Sequence, residues 1–265
     1  MDLQQIRQTA ERVARQAGDV LMRYWAQPHT ETTKRNIYDI VTEGDKASEA
    51  VIVAALRERF PDHHIVSEEG GGTDLSGGTS DYFWYIDPVD GTTNFAHNLP
   101  YFSVSIALTD PALNPLVGVV YNPVTRELFS AARGFGTTLD GAPVRVSTTD
   151  RLDRALFASG FSSDKTRARE NMRYWEQFMT RSRDLRRLGS AALDMCYVAS
   201  GRLDGFWETG INSWDVLAGI LCVQEAGGTA TDFAGQTTEC YTGANVVTSN
   251  GRLHAAMLDI LNDRA

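Results

Sequence analysis

Two acidic residues three positions apart stand in the segment Asp87-Pro88-Val89-Asp90, directly after the aromatic and apolar run 82–86. Ionised carboxylates held a few ångströms apart repel each other unless a cation lies between them. Carboxylate oxygens are the ligands that hard divalent cations prefer. Because Asp-Pro and Asp-Gly are also common turn dipeptides, the segment can equally be interpreted as a plain turn. The pair therefore predicts either a turn or a divalent cation site.

The three residues after this pair could bind an anion. Gly91 lets the backbone approach a ligand closely, and the N–H groups of Gly91, Thr92 and Thr93 could open a short helical turn onto an anion. A divalent cation and a phosphate group would then meet at one place in the fold.

Three further acidic residues are candidates for the same site. Glu68 and Glu69 follow the short apolar run Ile65-Val66, so they could face a cleft, although adjacent acids in a loop are more often merely solvated. Asp215 falls in the first turn of a predicted helix, where an acid commonly complements the helix dipole. The same position keeps a carboxylate ionised, which a metal ligand requires.

The elements that must position these residues form two halves. In the first half, apolar residues at three- and four-residue steps predict helices over 3–24 and 46–59, and β-rich runs between 102 and 146 predict an antiparallel meander. Strands are expected over 82–86, 104–109, 116–121, 127–131 and 143–146. In the second half, strands alternate with helices, which is typical of an α/β layer. Strands are expected over 155–159, 204–208 and 245–248, and helices over 167–181, 190–200, 213–226 and 252–262. We predict an N-terminal α+β lobe over 1–148, a C-terminal α/β lobe over 149–265, and the site in the cleft between them.

The composition restricts the class of partner. The 265 residues include 34 acidic and 25 basic side chains, for a formal net charge of −9, so neither nucleic acid nor a membrane surface is expected as a partner. Neither a membrane span nor a signal peptide is predicted, which favours a soluble cytoplasmic protein. Cys196, Cys222 and Cys240 lack the spacing of a zinc site and are expected to be reduced thiols. The negative net charge remains compatible with an anionic small molecule as a partner, provided that cations separate this molecule from the acidic side chains.

Residues 84–97, with the sequence WYIDPVDGTTNFAH, resemble the first signature of the inositol monophosphatase family. Glu68-Glu69, Asp45 and Trp214-Asp215 follow the family's order and spacing, so the resemblance covers nearly the whole chain. Leu217 departs from the second signature, which usually has a small residue there. The resemblance implies a layered αβαβα sandwich of the mixed α+β and α/β class, and a magnesium-dependent phosphatase.

The resemblance also implies two to three Mg²⁺ ions per subunit. Glu68, Asp87 and the backbone carbonyl of Val89 would hold one ion, and Asp87, Asp90 and Asp215 would hold a second. A third, weaker ion would also use Glu68.

Catalytic and phosphate-binding roles are implied for other matched residues. Thr92, within reach of Asp45, would orient and help to deprotonate the attacking water, and Glu69 would act from behind the metal ligands. The N–H groups of Gly91 and Thr93 would hold the phosphate. Asp45 has a second interpretation as the cap of its helix, and both roles are compatible.

The alcohol half of the substrate would be bound by residues of the C-terminal half. The family pattern points to Gly189, Ser190 and Ala191, whose N–H groups could meet sugar-like hydroxyls, and to Glu208, which could accept hydrogen bonds from hydroxyls. Alternatively, Glu208 merely ends an exposed strand.

We therefore predict Mg²⁺-dependent hydrolysis of a phosphate monoester by metal-activated water, with myo-inositol monophosphate as the leading substrate. Fructose 1,6-bisphosphate, histidinol phosphate and 3′-phosphoadenosine 5′-phosphate are alternatives, because the motif recognises the phosphate and the metals rather than the alcohol. A regulatory interaction protein with residual activity and a plain divalent-cation binder are alternatives from other classes. The resemblance further implies inhibition by lithium and a homodimer.

Two other features have simpler interpretations. The pair His63-His64 is predicted to face solvent. Four arginines between residues 181 and 187 are typical of a solvated face or a dimer contact, although a substrate with a second phosphate could use them. These arginines are Arg181, Arg183, Arg186 and Arg187.

Overall fold

The structure is a computed structural model that describes residues 1–27, 31–33, 36–72, 74 and 77–263. The helices are α1 (Leu3–Tyr24), α2 (Glu43–Arg59), α3 (Thr92–Ala96), α4 (Lys165–Met179), α5 (Ala191–Ala199), α6 (Ser213–Glu225) and α7 (His254–Leu261).

The strands of the first half form a small ladder and a large sheet. They are β1 (Thr32–Thr33), β2 (Ile40–Val41), β3 (His64–Ser67), β4 (Phe83–Asp90), β5 (Ser103–Thr109), β6 (Pro115–Asn122), β7 (Glu127–Ala132), β8 (Thr137–Leu139) and β9 (Ala142–Pro143). Strands β3 to β9 lie in sequence order in one sheet, in which only the β3–β4 pair is parallel. The predicted antiparallel meander is thereby confirmed.

The second sheet contains the strands of the other half. They are β10 (Leu156–Ser159), β11 (Asp184–Arg186), β12 (Gly205–Thr209), β13 (Thr229–Thr231) and β14 (Asn245–Ser249). Their order is β11-β10-β12-β14-β13, with β10 parallel to both of its neighbours and β14 antiparallel to both of its own.

The helices divide among three layers around the two sheets. α1 and α2 bury their apolar faces on the outer side of the first sheet, α5 and α6 lie between the sheets, and α4 and α7 cover the outer side of the second sheet. This order is the predicted αβαβα sandwich. Because burial of apolar surface drives folding, the three apolar clusters that separate these layers hold them in place.

Helix α6 packs closely against strand β6 and helix α5, because glycines lie at both contacts. A Cβ atom at Gly118 of β6 would lie 2.7 Å from the carbonyl oxygen of Ala218, and one at Gly219 would lie 2.8 Å from Met195 Cβ. Leu217, the departure from the family's second signature, is fully buried in the cluster between the sheets. The helix therefore accommodates the larger side chain within its core.

Two predictions about local structure were wrong, that of a strand over 143–146 and that of a solvent-facing pair His63-His64. The predicted strand over 143–146 is replaced by the β8–β9 hairpin, whose turn residues Asp140 and Gly141 both have positive φ, as a two-residue hairpin requires. His63 is half-buried and stacks on Phe60, because its ring adds to an aromatic cluster. His64 Nδ1 lies 2.7 Å from Asp74 Oδ2, so neither histidine simply faces solvent.

Among the described residues, no helix is long and apolar enough to cross a bilayer.

Candidate active site

The carboxyl end of β4 carries the predicted pair of acids. The pairing of β4 with β5 shifts register between Asp87 and Asp90, so the strand bulges at Pro88 and Val89 and then resumes. Ser48 of α2 donates a hydrogen bond to the Pro88 carbonyl over 3.1 Å, and the Val89 N–H donates to Asp87 Oδ1 over 2.9 Å. Both acids are buried, at 2% and 8% exposure, which excludes the plain surface turn.

Three predicted metal ligands meet at this point. One carboxylate oxygen each from Glu68, Asp87 and Asp215 lie within 4.8 Å of one another. Glu68 follows β3, which pairs in parallel with β4, and Asp215 comes from the first turn of α6. Residues far apart in the sequence are therefore brought together by one sheet edge and one helix end.

The proximity of these acids raises the pKa values of their carboxyl groups. Burial, followed by the charges of Glu68, Asp90 and Asp215, raises the pKa of Asp87 well above its usual range. Burial and the charges of Glu68 and Asp90 raise the pKa of Asp215 to about 8. A divalent cation among these groups would favour their ionised forms and reverse the direction of both shifts.

Asp90 is held by the N-terminus of α5. Its Oδ2 accepts hydrogen bonds from Ser190 Oγ at 2.5 Å and from the Ala192 N–H at 2.8 Å, and its Oδ1 accepts one from the Ala191 N–H at 3.2 Å. Burial raises the pKa of Asp90 to about 6, and these three hydrogen bonds oppose the shift. The donors of Ser190 and Ala191, which were predicted to meet substrate hydroxyls, are thus directed to a predicted metal ligand.

Thr92 and Asp45 lie within hydrogen-bond distance, as the sequence predicted. Thr92 Oγ1 is 3.0 Å from Asp45 Oδ1 and 3.0 Å from the Val89 carbonyl oxygen. Asp45 Oδ2 accepts hydrogen bonds from the N–H of Thr42 at 2.9 Å and from its hydroxyl at 2.6 Å, which forms the capping box of α2. The N-cap of α2 is therefore Thr42, and Asp45 is its partner in the capping box, which also orients Thr92.

Asp215 is the third residue of α6, the same position that Asp45 has in α2. Its Oδ2 accepts a hydrogen bond from the Asn212 N–H at 2.6 Å, which completes a second capping box. Asp45, Asp90 and Asp215 thus each accept hydrogen bonds at a helix N-terminus. The backbone N–H groups at the N-termini of α5 and α6 oppose the rise that burial causes in the pKa of Asp90 and of Asp215.

Gly91 connects the acids of β4 to α3. Its φ of 100° lies in the left-handed region, and a Cβ atom there would come within 2.9 Å of the Gly189 carbonyl oxygen. The first N–H groups of a helix have no acceptor within the helix, so those of α3 are suited to an anion. Gly91 and Thr92 line the cavity described below, whereas Thr93 is exposed and is not among its lining residues.

Glu208 lies on the opposite side of the site, in β12. It is buried at 5% exposure, so the interpretation as the end of an exposed strand is wrong. Burial raises the pKa of Glu208 well above its usual range, and the charge of Arg187 opposes that shift. Gly160 leaves the space that the Glu208 carboxylate occupies, because a Cβ atom there would overlap its oxygens.

Two further charged residues lie on this side: Asp194, which the sequence did not predict, and Arg187, which it predicted only as one of four arginines of a solvated face, a dimer contact or a second phosphate site. Asp194 is buried and accepts a hydrogen bond from the Tyr101 hydroxyl at 2.8 Å, and burial raises the pKa of its carboxyl well above the usual range. Arg187 precedes the Gly189 loop. The position of Asp194 one helical turn after Ser190 is a signal that could have identified it.

These residues surround one cavity of about 1160 Å³. Its lining includes Glu68, Glu69, Asp87, Asp90, Gly91, Thr92, Gly189, Ser190, Ala191, Asp194, Glu208 and Asp215. Both sheets and the helix layer between them therefore contribute to a single site.

The residues of this cavity fit a divalent cation. In the described part of the chain, no lysine, arginine or histidine lies within ion-pair distance of Asp87, Asp90 or Asp215. Buried carboxylates without a basic partner are costly unless a metal ion compensates their charge. Glu68 and the Val89 carbonyl complete an all-oxygen set of donors of the kind that Mg²⁺ prefers.

Comparison with known proteins identifies the family to which the chain belongs. The model of the inositol monophosphatase family matches residues 2–264, so the chain belongs to this family. It is 43% identical over 256 residues to Nus factor SuhB of Escherichia coli K12, covering 96% of this chain and 94% of that protein. It is 41% identical over 261 residues to inositol-1-monophosphatase of Synechocystis, covering 98% and 90%. The solved structure of inositol monophosphatase from Anabaena matches with a TM-score of 0.88 at 38% identity, covering 99% and 97%.

Membership confirms the resemblance and the αβαβα fold, and it supports a phosphatase. Members of the family are generally magnesium-dependent.

Proposed function

We propose that this protein hydrolyses phosphate monoesters in the presence of Mg²⁺, with myo-inositol monophosphate as the leading substrate. The observation that carries the proposal is the group of Glu68, Asp87 and Asp215, whose oxygens lie within 4.8 Å of one another. It lies in the same cavity as Gly91 and Thr92. A protein that only stored cations would not need the Thr92 hydroxyl and the Gly91 N–H group beside them.

Each carboxylate has a defined task in this proposal. Glu68, Asp87 and the Val89 carbonyl would hold one ion, Asp87, Asp90 and Asp215 would hold a second, and Glu68 would take part in a third, weaker site. Bound Mg²⁺ supplies a water of lowered pKa and positive charge for the leaving oxygen.

The chain itself orients the water and the phosphate. Because Thr92 donates its hydroxyl proton to Asp45, its oxygen is left as an acceptor for the attacking water. Glu69 supports the metal ligands from the loop after β3. The N–H group of Gly91, which lines the cavity, binds a phosphate oxygen, whereas Thr93 lies outside the cavity lining.

The alcohol half binds on the opposite side of the cavity. Glu208 accepts hydrogen bonds from its hydroxyls, and the loop of Gly189 to Ala191 contacts it. Fructose 1,6-bisphosphate, histidinol phosphate and 3′-phosphoadenosine 5′-phosphate remain alternatives, which a panel of esters compared by kcat/KM would distinguish.

Replacement of Asp87 tests the proposal. Asp87→Asn keeps the shape of the side chain but removes a charge from both metal positions. We expect Mg²⁺-dependent phosphate release from myo-inositol 1-phosphate to fall by at least about 100-fold. Asp153→Asn, at an exposed acid of the 3-10 turn before β10, is the matched control. A variant at position 87 that retains the wild-type rate would contradict the proposal.

A second candidate function follows from the relatives named Nus factor SuhB. The protein would then act mainly as a regulatory interaction protein with residual activity. Co-purification of a stoichiometric protein partner, together with no hydrolysis in Mg²⁺, would favour this function over the first.

Other properties inferred from the sequence are also proposals. They are a homodimer, inhibition by lithium, a cytoplasmic location, the absence of nucleic acid and membrane partners, and the division into lobes 1–148 and 149–265. Light scattering of the purified protein and lithium titration of its activity test the first two.

A further inference from the structure

One face of helix α2 contacts three segments of the candidate metal site. Asp45, Ser48 and Glu49 stand at positions i, i+3 and i+4 of the helix, which places their side chains side by side. Asp45 is hydrogen-bonded to Thr92, as described above. The other two residues of this face have no role in the function proposed above, yet each contacts a segment that carries a candidate metal ligand.

Ser48 contacts Asp87 through a single peptide group. The Ser48 hydroxyl donates a hydrogen bond to the Pro88 carbonyl over 3.1 Å, and the N–H of the same peptide group, that of Val89, donates to Asp87 Oδ1 over 2.9 Å. Because a peptide group is planar, a hydrogen bond at its oxygen also restricts the direction of its N–H. Ser48 is fully buried, so water does not compete for this carbonyl. The hydroxyl of Ser48 therefore helps to fix the orientation of the Asp87 carboxylate.

Glu49 has a similar relationship to the neighbouring ligand. Its Oε2 accepts a hydrogen bond from the hydroxyl of Ser67, which is fully buried, ends β3 and directly precedes Glu68. The Glu68 N–H donates to the Ile86 carbonyl of β4 over 3.2 Å. The backbone from which the Glu68 side chain extends is therefore held by α2 on one side and by β4 on the other.

We propose that Ser48 and Glu49 are positioning residues of the magnesium site, which hold Asp87 and Glu68 in the arrangement that binds Mg²⁺. Crowded carboxylates repel one another, so they stay together without a cation only if their backbone is fixed. Mg²⁺ also demands a nearly ideal octahedral set of ligands, and ligands that are ordered in advance lose less entropy when the ion binds. The inference rests on the metal site of the phosphatase function proposed above.

Ser48→Ala tests the first contact. Isothermal titration calorimetry of Mg²⁺ into EDTA-treated, dialysed protein measures the Kd of the metal without turnover. Hydrogen-bonded supports of metal ligands typically contribute roughly 10- to 100-fold in metal affinity, so we expect Kd to rise about tenfold. The Mg²⁺ concentration for half-maximal phosphate release rises with it.

Two variants of Glu49 test the second contact. Glu49→Ala removes the acceptor of the Ser67 hydroxyl, whereas Glu49→Gln keeps an oxygen that can accept the same hydrogen bond. We expect about a tenfold rise of Kd in Glu49→Ala and recovery of most of the affinity in Glu49→Gln. Glu58→Ala is the matched control, because it removes the same charge from an exposed position near the C-terminal end of α2. The control leaves Kd unchanged.

Urea unfolding in EDTA distinguishes positioning from a purely structural role. A structural role lowers the stability of the metal-free variants and leaves the Kd of Mg²⁺ unchanged, whereas positioning raises Kd. Circular dichroism checks that each variant is folded. Because Glu49 is only half-buried, its two variants complete the test if the buried substitution at position 48 prevents folding.

The outcomes separate this inference from the proposed function. A Kd that is unchanged in Ser48→Ala and in Glu49→Ala overturns the positioning role, even if the wild type hydrolyses the ester. A wild type that binds Mg²⁺ but releases no phosphate overturns the phosphatase function, and raised Kd values in the variants would still support the positioning role. A wild type that binds no Mg²⁺ overturns both.

Discussion

Ser190 Oγ donates a hydrogen bond to Asp90 Oδ2 over 2.5 Å, although 100 residues separate them in the sequence. The same carboxylate accepts hydrogen bonds from two N–H groups of α5. A candidate metal ligand of the first sheet is therefore oriented by a helix of the second half.

Removal of this hydroxyl is expected to weaken metal binding. In Ser190→Ala, Asp90 loses a hydrogen bond that stabilises its ionised form, so the Mg²⁺ concentration for half-maximal activity rises roughly tenfold. Ser200→Ala, at the other end of α5, is the control, because the Ser200 hydroxyl donates a hydrogen bond to the Tyr197 carbonyl and not to an acid of the site. A magnesium titration that is identical in the two variants would show that Ser190 has no such role.

The Thr92 hydroxyl is expected to act in turnover rather than in folding. Thr92→Val keeps the size of the side chain but removes the donor to Asp45, so kcat falls by about 100-fold or more. Thr92→Ser restores the hydroxyl and most of the rate. Circular dichroism of both variants checks the fold, and equal rates for them would refute the assignment.

The acids of the site predict how stability depends on pH without metal. The pKa of Asp215 is raised to about 8, above about 3.9 for an unfolded aspartate, so the folded state binds the proton more tightly. This contribution to stability is present below pH ~4 and is lost as the pH rises through about 8.

In EDTA, the melting temperature of the wild type is therefore expected to fall between pH 5 and pH 8. Asp215→Asn removes one titrating group, so the fall becomes smaller, and Mg²⁺ raises the melting temperature of the wild type most at pH 8. Melting curves with the same pH dependence in both proteins would contradict this account.

Gly189 is expected to be required for the folded loop. Gly189→Ala places a side chain at a φ of 101°, 2.5 Å from Arg187 Nη1 and 2.7 Å from Asn94 Nδ2. Gly141→Ala has a similar φ of 82° with no atom within 4 Å, so it measures backbone strain alone, about 1 kcal/mol. Urea unfolding should show a larger loss for position 189, and equal losses would mean that the neighbouring side chains simply move aside.

The fold was largely predictable because its elements have strong periodic patterns. Helix α1 and the meander agree with their predicted positions, since long apolar stripes determine which faces are buried. The short strands β11 and β13 were not predicted, because three residues carry too little pattern and their pairing depends on neighbours that are distant in the sequence. The extension of β4 through Pro88 was also not predictable, because it requires the bulge opposite β5.

Residue types alone predicted the paired acids of the site, because neighbouring carboxylates indicate a cation site. The contact of Thr92 with Asp45 was implied only by the family resemblance, and it is present. The α5 N-terminus was assigned to substrate, because its contact with Asp90 depends on packing between the two halves. The same packing determines that Arg187, of the four arginines between residues 181 and 187, lines the cavity. No sequence pattern distinguishes it from the other three.

The helix layer between the sheets also affects how the protein unfolds. Asp87 lies in the first sheet, whereas Asp215 begins α6, which packs on both sheets. A cation shared by these two acids closes a loop of more than one hundred residues, a cross-link that greatly restricts the unfolded chain. A cation held by both acids would therefore couple the unfolding of the first sheet to that of the helix layer.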